Sequence, residues 1–247
     1  MIKINDNVIK AIMIHAETEH PRECCGLVAV IDGEQFYLAM DNVHEEPEEH
    51  FRFDKDQYLT ALQSSEVIAI IHSHTGDGAT TVPSLADRSS CNHTGIPHGI
   101  ASWPEGDFNI IEPVEDLPLK GRHFVLGSDD CYGLVIAWHK QQGVDLMDFR
   151  VPYEWWERGE RLFSTENFEK AGFYPCEPCA GAMIVAQVMA DVPNHCGVLV
   201  GDGTILHHLY GRLSGTEQYN GSWIQERTVY CVRHKDLPAP EELKAWQ

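Results

Sequence analysis

Val67-Ile68-Ala69-Ile70-Ile71-His72-Ser73-His74 runs five apolar residues into a His-x-His pair, and Pro83-Ser84-Leu85-Ala86-Asp87 follows a polar loop. A continuous apolar run of this length, rich in Val and Ile, reads as a central strand. Side chains two apart on a strand point to one side, so His72 and His74 share a face at its C-terminal end. Pro83 and Ser84 signal a helix start, and Asp87, one turn on, shares a helical face with Ser84. Two imidazoles and a carboxylate are ligand types of a tetrahedral zinc site that keeps one position open for water. A His-x-His pair alone is a weak signal, and two loop histidines beside an ordinary Ser84 N-cap also satisfy it.

Upstream of this stretch, Asn5 or Asp6 can cap a helix reaching about His20, with Ile9, Ile12, Met13 and Ala16 on one face. Pro21 stops it. Residues 24–31 read as a buried strand, and Asp32-Gly33 is a hairpin signal into residues 36–40. A short helix is expected over 54–64, and two further strand-like runs end near Val114. Strands alternating with helices give a mixed α/β sheet domain of the α+β class.

The chain has 247 residues, 8 Cys, 14 His and a net charge of −20. At 43% hydrophobic and 23% charged it can bury sizeable cores. The negative charge argues against nucleic acid and against anionic membrane surfaces as partners. No window approaches the roughly 20 apolar residues of a membrane span. The N-terminus, Met1-Ile2-Lys3-Ile4-Asn5-Asp6-Asn7, shows no signal-peptide core. Scattered cysteines in a chain of this length suit a reduced compartment. Residues 1–115 carry 6 Lys and Arg against 20 Asp and Glu, a net −14, whereas 116–247 carry 12 against 18, a net −6. This shift falls in Glu112-Pro113-Val114-Glu115-Asp116-Leu117-Pro118, a linker by composition. Two domains are expected.

In the second half, Ser128-Asp129-Asp130 precedes Cys131-Tyr132-Gly133-Leu134-Val135-Ile136-Ala137-Trp138, a helix start followed by a buried helix. Cys131 then sits at a helix N-terminus, where the macrodipole favours the thiolate; the plainer reading is a small buried apolar residue. Residues 195–209 read as a β-hairpin around Gly201-Asp202-Gly203. With a three-residue loop, Gly197 faces His207 and His195 lies diagonally beside it. A two-residue loop would turn the faces over. The hairpin thus offers a base, His195, and an orienting group, His207. Cys91, His93 and His98 could form a second metal site, and Cys176-x-x-Cys179 a zinc knuckle or redox pair, but incidental polar loops are the commoner outcome for both. Tyr153, Trp155 and Trp156 are expected in the core.

Glu23, His72-x-His74 and Pro83-Ser84-x-x-Asp87, in that order over residues 1–113, resemble the JAB/MPN (JAMM) metallopeptidase signature. The resemblance implies one zinc ion (Zn2+) held by His72, His74 and Asp87, with Glu23 as general base and Ser84 steadying the oxyanion. Thr75 stands where the family usually has Pro, and the loop from His74 to Asp87 is about two residues longer than the family's. Over residues 118–235, Asp130-Cys131-x-Gly133 and His195-x-Gly197-Val198-x-x-Gly201-Asp202-Gly203 resemble the NlpC/P60 family of papain-like α+β cysteine peptidases. That implies Cys131 as nucleophile, His195 as general base and acid, and His207 as third polar residue, with cell-wall peptides as substrate. Tyr132 replaces the family's common Ser. Residues 236–247 are read as a C-terminal tail.

The two domains in this order resemble the tail tip assembly proteins of lambda-like phages. The implied setting is synthesis in the host cytoplasm without a signal peptide, other tail tip proteins as partners, and peptidoglycan stem peptides as substrate, with the virion tail tip as a destination. Two alternatives stay open: an assembly scaffold with vestigial sites, and a cytosolic bacterial deconjugating hydrolase acting through the JAMM site.

Overall fold

The computed structural model describes residues 2–246. The chain divides into two compact units, Met1–Glu115 and Asp116–Gln247.

Unit 1 is built on a five-stranded sheet. Its strands are β1 (Cys25–Ile31), β2 (Glu34–Met40), β3 (Glu66–Thr75), β4 (His98–Trp103) and β5 (Phe108–Ile111). Their order is β2-β1-β3-β4-β5, with β3 at the centre. Only β3 and β4 run parallel, joined across helix α3 (Leu85–Thr94), as a parallel crossover requires. Asp32 and Gly33 both have positive φ, the type I′ geometry of a two-residue hairpin, and Ile31 pairs with Glu34.

Helix α1 (Asp6–Glu19) covers one face of this sheet. Val8, Ile12 and Ala16 are its buried residues, while Ile9 and Met13 are half-buried. Ile12 packs with Val28, Ala69, Ile71 and Ala101, and each fully buried aliphatic side chain contributes about 1.5–3 kcal/mol. On the opposite face Leu27 and Ile70 pack with Ala61 of helix α2 (Lys55–Ser64), whose N-cap is Asp54. His72 and His74 continue this second face, two and four residues beyond Ile70.

Unit 2 carries a six-stranded antiparallel sheet. Its strands are β6 (Phe173–Pro175), β7 (Met183–Ala186), β8 (His195–Gly201), β9 (Thr204–His207), β10 (Gly215–Gln218) and β11 (Thr228–His234), in the order β10-β9-β8-β7-β11-β6. Helix α4 (Cys131–Gln141) packs on β8 and β9, with Leu134, Val135 and Trp138 in a cluster that includes Cys196, Val198 and Leu206. Short helices α5 (Thr165–Lys170) and α6 (Trp223–Glu226) complete it. The segment after β11 lies back on this unit: Leu243 and Trp246 join the α4 cluster, and Lys244 exchanges two hydrogen bonds with the Gln142 side chain, at 2.8 and 3.2 Å.

The β8–β9 turn differs from the expected three-residue loop. Its turn residues are Asp202 and Gly203, both at positive φ, and Gly201 pairs with Thr204. Such a turn would invert the strand faces, but a bulge at Val200 inserts one residue into β8 alone and restores the register. Leu199 therefore faces Ile205 and Gly197 faces His207.

Candidate active sites

The first site forms where β3 leaves the sheet centre. His72 Nε2 lies 3.2 Å from Asp87 Oδ1, and His74 Nε2 lies 3.3 Å from Asp87 Oδ2. The two Nε2 atoms are 3.3 Å apart. His74 Nδ1 sits 2.7 Å from the Thr80 carbonyl, so it carries the hydrogen and leaves Nε2 as a lone-pair donor. His72 is held differently: its ring stacks on Phe51 at 4.7 Å, and its buried Nδ1 has no hydrogen-bond partner. Asp87 arrives on the first turn of α3. Its Oδ2 accepts from Ser84 N at 2.7 Å and Ser84 Oγ accepts from Asp87 N at 3.1 Å, a capping box. This leaves the Ser84 hydroxyl hydrogen for another acceptor.

Glu23 precedes β1. Cys25 pairs with His72, and the next residues continue the contact through Ser73 N to Cys24 O at 3.1 Å, which brings Glu23 opposite His74. The Glu23 backbone is fixed by bonds to Pro47 O and from Asn42 Nδ2. Burial pushes its carboxyl up to about 8; Asp87 and Glu49 add to this and His74 opposes it. Burial would also raise Asp87, but His72 and His74, which favour the carboxylate whenever they carry a proton, outweigh it and hold that carboxyl well below the usual range. Thr75, standing where the resemblance led us to expect Pro, donates from Oγ1 to Pro21 O at 2.8 Å and ties the end of β3 to the turn before Glu23.

His72, His74 and Asp87 are the one set of three such side chains, among the described residues, whose ligand atoms lie within 4.8 Å of one another. Two imidazole lone pairs and a carboxylate converging at these distances repel unless a proton or cation lies between them. The donor set, two nitrogens and one oxygen, fits zinc. Cys91 instead donates to Ile96 O and Ile111 O.

The second site begins at the N-terminus of α4. Asp130 is its N-cap: Oδ1 accepts from Gly133 N at 2.8 Å and Oδ2 from Gly127 N at 2.9 Å. Gly133 is needed because a Cβ there would collide with Ser128 O and Arg150 Nη1. Arg150 itself donates to Ser128 O and pairs with Asp148. Tyr132 is buried, stacks on Phe149 and donates to Met147 O at 2.9 Å. Cys131, the first residue of the helix, is half-buried and lines a cavity of about 680 Å³ that His195 also lines. Trp155 is buried in the core yet reaches this cavity, as does the half-buried Trp156.

His195 Nε2 is 3.0 Å from His207 Nδ1. Burial, reinforced by His207 and His208, pushes His195 down to about 3, so the resting ring is neutral. A Cβ on Gly197 would stand 2.7 Å from His207 Cβ, so that glycine makes room for the ring. Glu217, not singled out from the sequence, places Oε1 2.8 Å from His207 Nε2. The Cys176-x-x-Cys179 segment gains a third thiol, with Cys231 Sγ 3.7 Å from Cys176 Sγ.

A family model for prokaryotic homologs of the JAB domain matches residues 5–139, and the NlpC/P60 family matches residues 121–233. "Tail tip assembly protein K" of Escherichia phage N15 is 43% identical over 246 residues, covering 96% of this chain and 98% of that protein. The protein of the same name from Escherichia phage lambda is 32% identical over 186 residues, 73% of this chain and 88% of that one. Fold and sequence together define a chain that joins a JAB-family domain to an NlpC/P60 domain, in that order. It belongs to the tail tip assembly protein K family. No helix among the described residues is long and apolar enough to cross a membrane.

Proposed function

We propose that this chain acts in phage tail tip assembly and that its second unit is a cysteine peptidase of peptidoglycan stem peptides. The observation that carries the peptidase reading is the shared cavity wall of Cys131 and His195, with His207 3.0 Å behind His195. In this reading His195 takes the Cys131 thiol proton as sulfur attacks the scissile carbonyl. It then returns the proton to the leaving amine, and water resolves the acyl-enzyme in the same way. The N-terminus of α4 directs its positive end toward the sulfur and the developing oxyanion. The cavity is lined by Trp155 and Trp156 and by charges of both signs, Arg212 and Arg227 with Glu154 and Glu157, which suits a peptide bearing both carboxylates and an amine, and the bond between D-γ-glutamyl and a diamino acid is the proposed target. Synthesis in the host cytoplasm and contact with other tail tip proteins follow from the assembly role.

In the first unit His72, His74 and Asp87 would hold zinc, and Glu23 and Ser84 flank them. Zinc bound there supplies a Lewis acid that polarises a carbonyl and acidifies water. With a cation at the neighbouring ligands favouring its ionised form, Glu23 would move the proton from water to the leaving amine of a peptide or isopeptide bond, while the Ser84 hydroxyl donates to the oxyanion.

Purified wild type incubated with muropeptides is expected to release products, and Cys131→Ala to release none. A His72→Ala/His74→Ala variant should keep that turnover. Equal turnover by wild type and Cys131→Ala, or none by either, would overturn the thiol-peptidase reading and leave an assembly scaffold.

A further inference from the structure

β10 supplies a residue that completes the line behind the thiol site. Gly215 pairs with His207 and Glu217 with Ile205, so Glu217 is the diagonal neighbour of His207 on one face. On the other side Gly197 pairs with His207, and His195 is the diagonal neighbour there. His207 thus stands between two glycines, with His195 and Glu217 reaching its two ring nitrogens at 3.0 and 2.8 Å. Glu217 Oε1 is closed off from water and lies 2.8 Å from His207 Nε2, at short distance but out of hydrogen-bond alignment.

We propose that Glu217 is a positioning residue that fixes the tautomers of both histidines, extending the line to Cys131, His195, His207 and Glu217. This rests on the reading of Cys131 and His195 as nucleophile and base. A neutral imidazole carries one N–H. Beside a carboxylate oxygen the hydrogen belongs on His207 Nε2, because two lone pairs at 2.8 Å repel. His207 Nδ1 is then an acceptor, and the hydrogen between the rings belongs to His195 Nε2. His195 Nδ1 is left with a lone pair, the only form in which it can take the thiol proton. If His207 carried its hydrogen on Nδ1, it would donate to His195 Nε2, the hydrogen of His195 would move to Nδ1, and the base would be blocked. Burial and Arg212 keep His207 itself neutral, pushed down to about 4, so its tautomer is a real choice. The groups facing it are His195 from β8, Arg212 beyond β9 and Glu217 from β10.

The full chain, labelled with ¹⁵N histidine, reads the tautomers directly through long-range proton–nitrogen spectra, with no need for turnover. The wild type should show Nε2–H at both His195 and His207. Glu217→Ala should shift both toward Nδ1–H, and alkylation of Cys131 by iodoacetamide at pH 7, followed by peptide mapping, should slow about 10- to 100-fold. Muropeptide kcat should fall with KM little changed. Glu217→Gln retains a carbonyl oxygen at the same place and should recover much of each readout. Nδ1–H tautomers in the wild type would overturn the proposal. So would Glu217→Ala with unchanged tautomers and unchanged Cys131 alkylation. Tautomers that shift in Glu217→Ala without muropeptide turnover by the wild type would support the Glu217 assignment and refute the peptidase reading.

Discussion

His139 shows how one buried side chain sets a pH dependence. It lies in α4, fully buried, with Nδ1 2.8 Å from Val135 O and Nε2 without a partner. Burial pushes it down to about 4; His234 and Arg233 act in the same sense and the Val135 bond opposes them. The unfolded chain therefore takes up a proton near pH 6.5 that the folded chain refuses until about pH 4. Stability contributed by the neutral ring is complete above pH 6.5 and is lost as pH falls through that window. The loss from His139 alone amounts to about 3 kcal/mol by pH 4. Buried His195 and His207 act with the same sign. Urea unfolding at pH 7 and pH 4 should show a smaller acid loss for His139→Leu than for wild type, and equal losses would refute the assignment.

At the scale of the element, the N-terminus of α4 is decided by close approach. Asp130 caps the helix through Gly133 N, and Ser128 O and Arg150 occupy the space a side chain at 133 would need. Gly133→Ala should force this first turn apart, costing about 1–3 kcal/mol. Because Cys131 is the first residue of that turn, its alkylation rate should change together with stability. A variant with wild-type stability and wild-type Cys131 reactivity would show that the turn adapts. The β8–β9 hairpin teaches a related lesson. The sequence Gly201-Asp202-Gly203 announces a turn, but the face that His195 and His207 share depends on whether two or three residues make it. The Val200 bulge decides that, and a bulge reflects the fit of β8 against its neighbours.

For the whole molecule, each hydrophobic cluster lies within a single unit, on one side of the division after Glu115. Calorimetry should accordingly resolve two transitions. Zinc would tie β3 to α3 inside unit 1 only, so saturating zinc at about 100 times its Kd should raise one transition by about 2.7 kcal/mol, and a chelator should return it. His72→Ala/His74→Ala should abolish that response and contain no zinc by metal analysis, against about one per wild-type chain. A wild type that holds no zinc, or a shift of both transitions together, would contradict this. The charge divides along the same line, with −14 of the −20 in residues 1–115.

The sequence by itself determined the mixed α/β class and the placing of the candidate residues on strands and helix starts, since these rest on local rules. Apolar runs fix strands, Asp32-Gly33 fixes a hairpin, and Ser84 or Asp130 fixes a helix start. Residues two apart on a strand, such as His72 and His74, share a face whatever surrounds them. What the tertiary structure decided were the relations between elements far apart in the chain. It brought Asp87 within 3.3 Å of both histidines, set Glu23 opposite His74 through the β1–β3 register, and turned Thr75 into a tie to Pro21. It also brought Glu217 to His207 across a strand pair, where no local pattern marks a glutamate as anything but an exposed strand residue. Such contacts depend on register and twist accumulated over whole sheets, which no short window of sequence encodes.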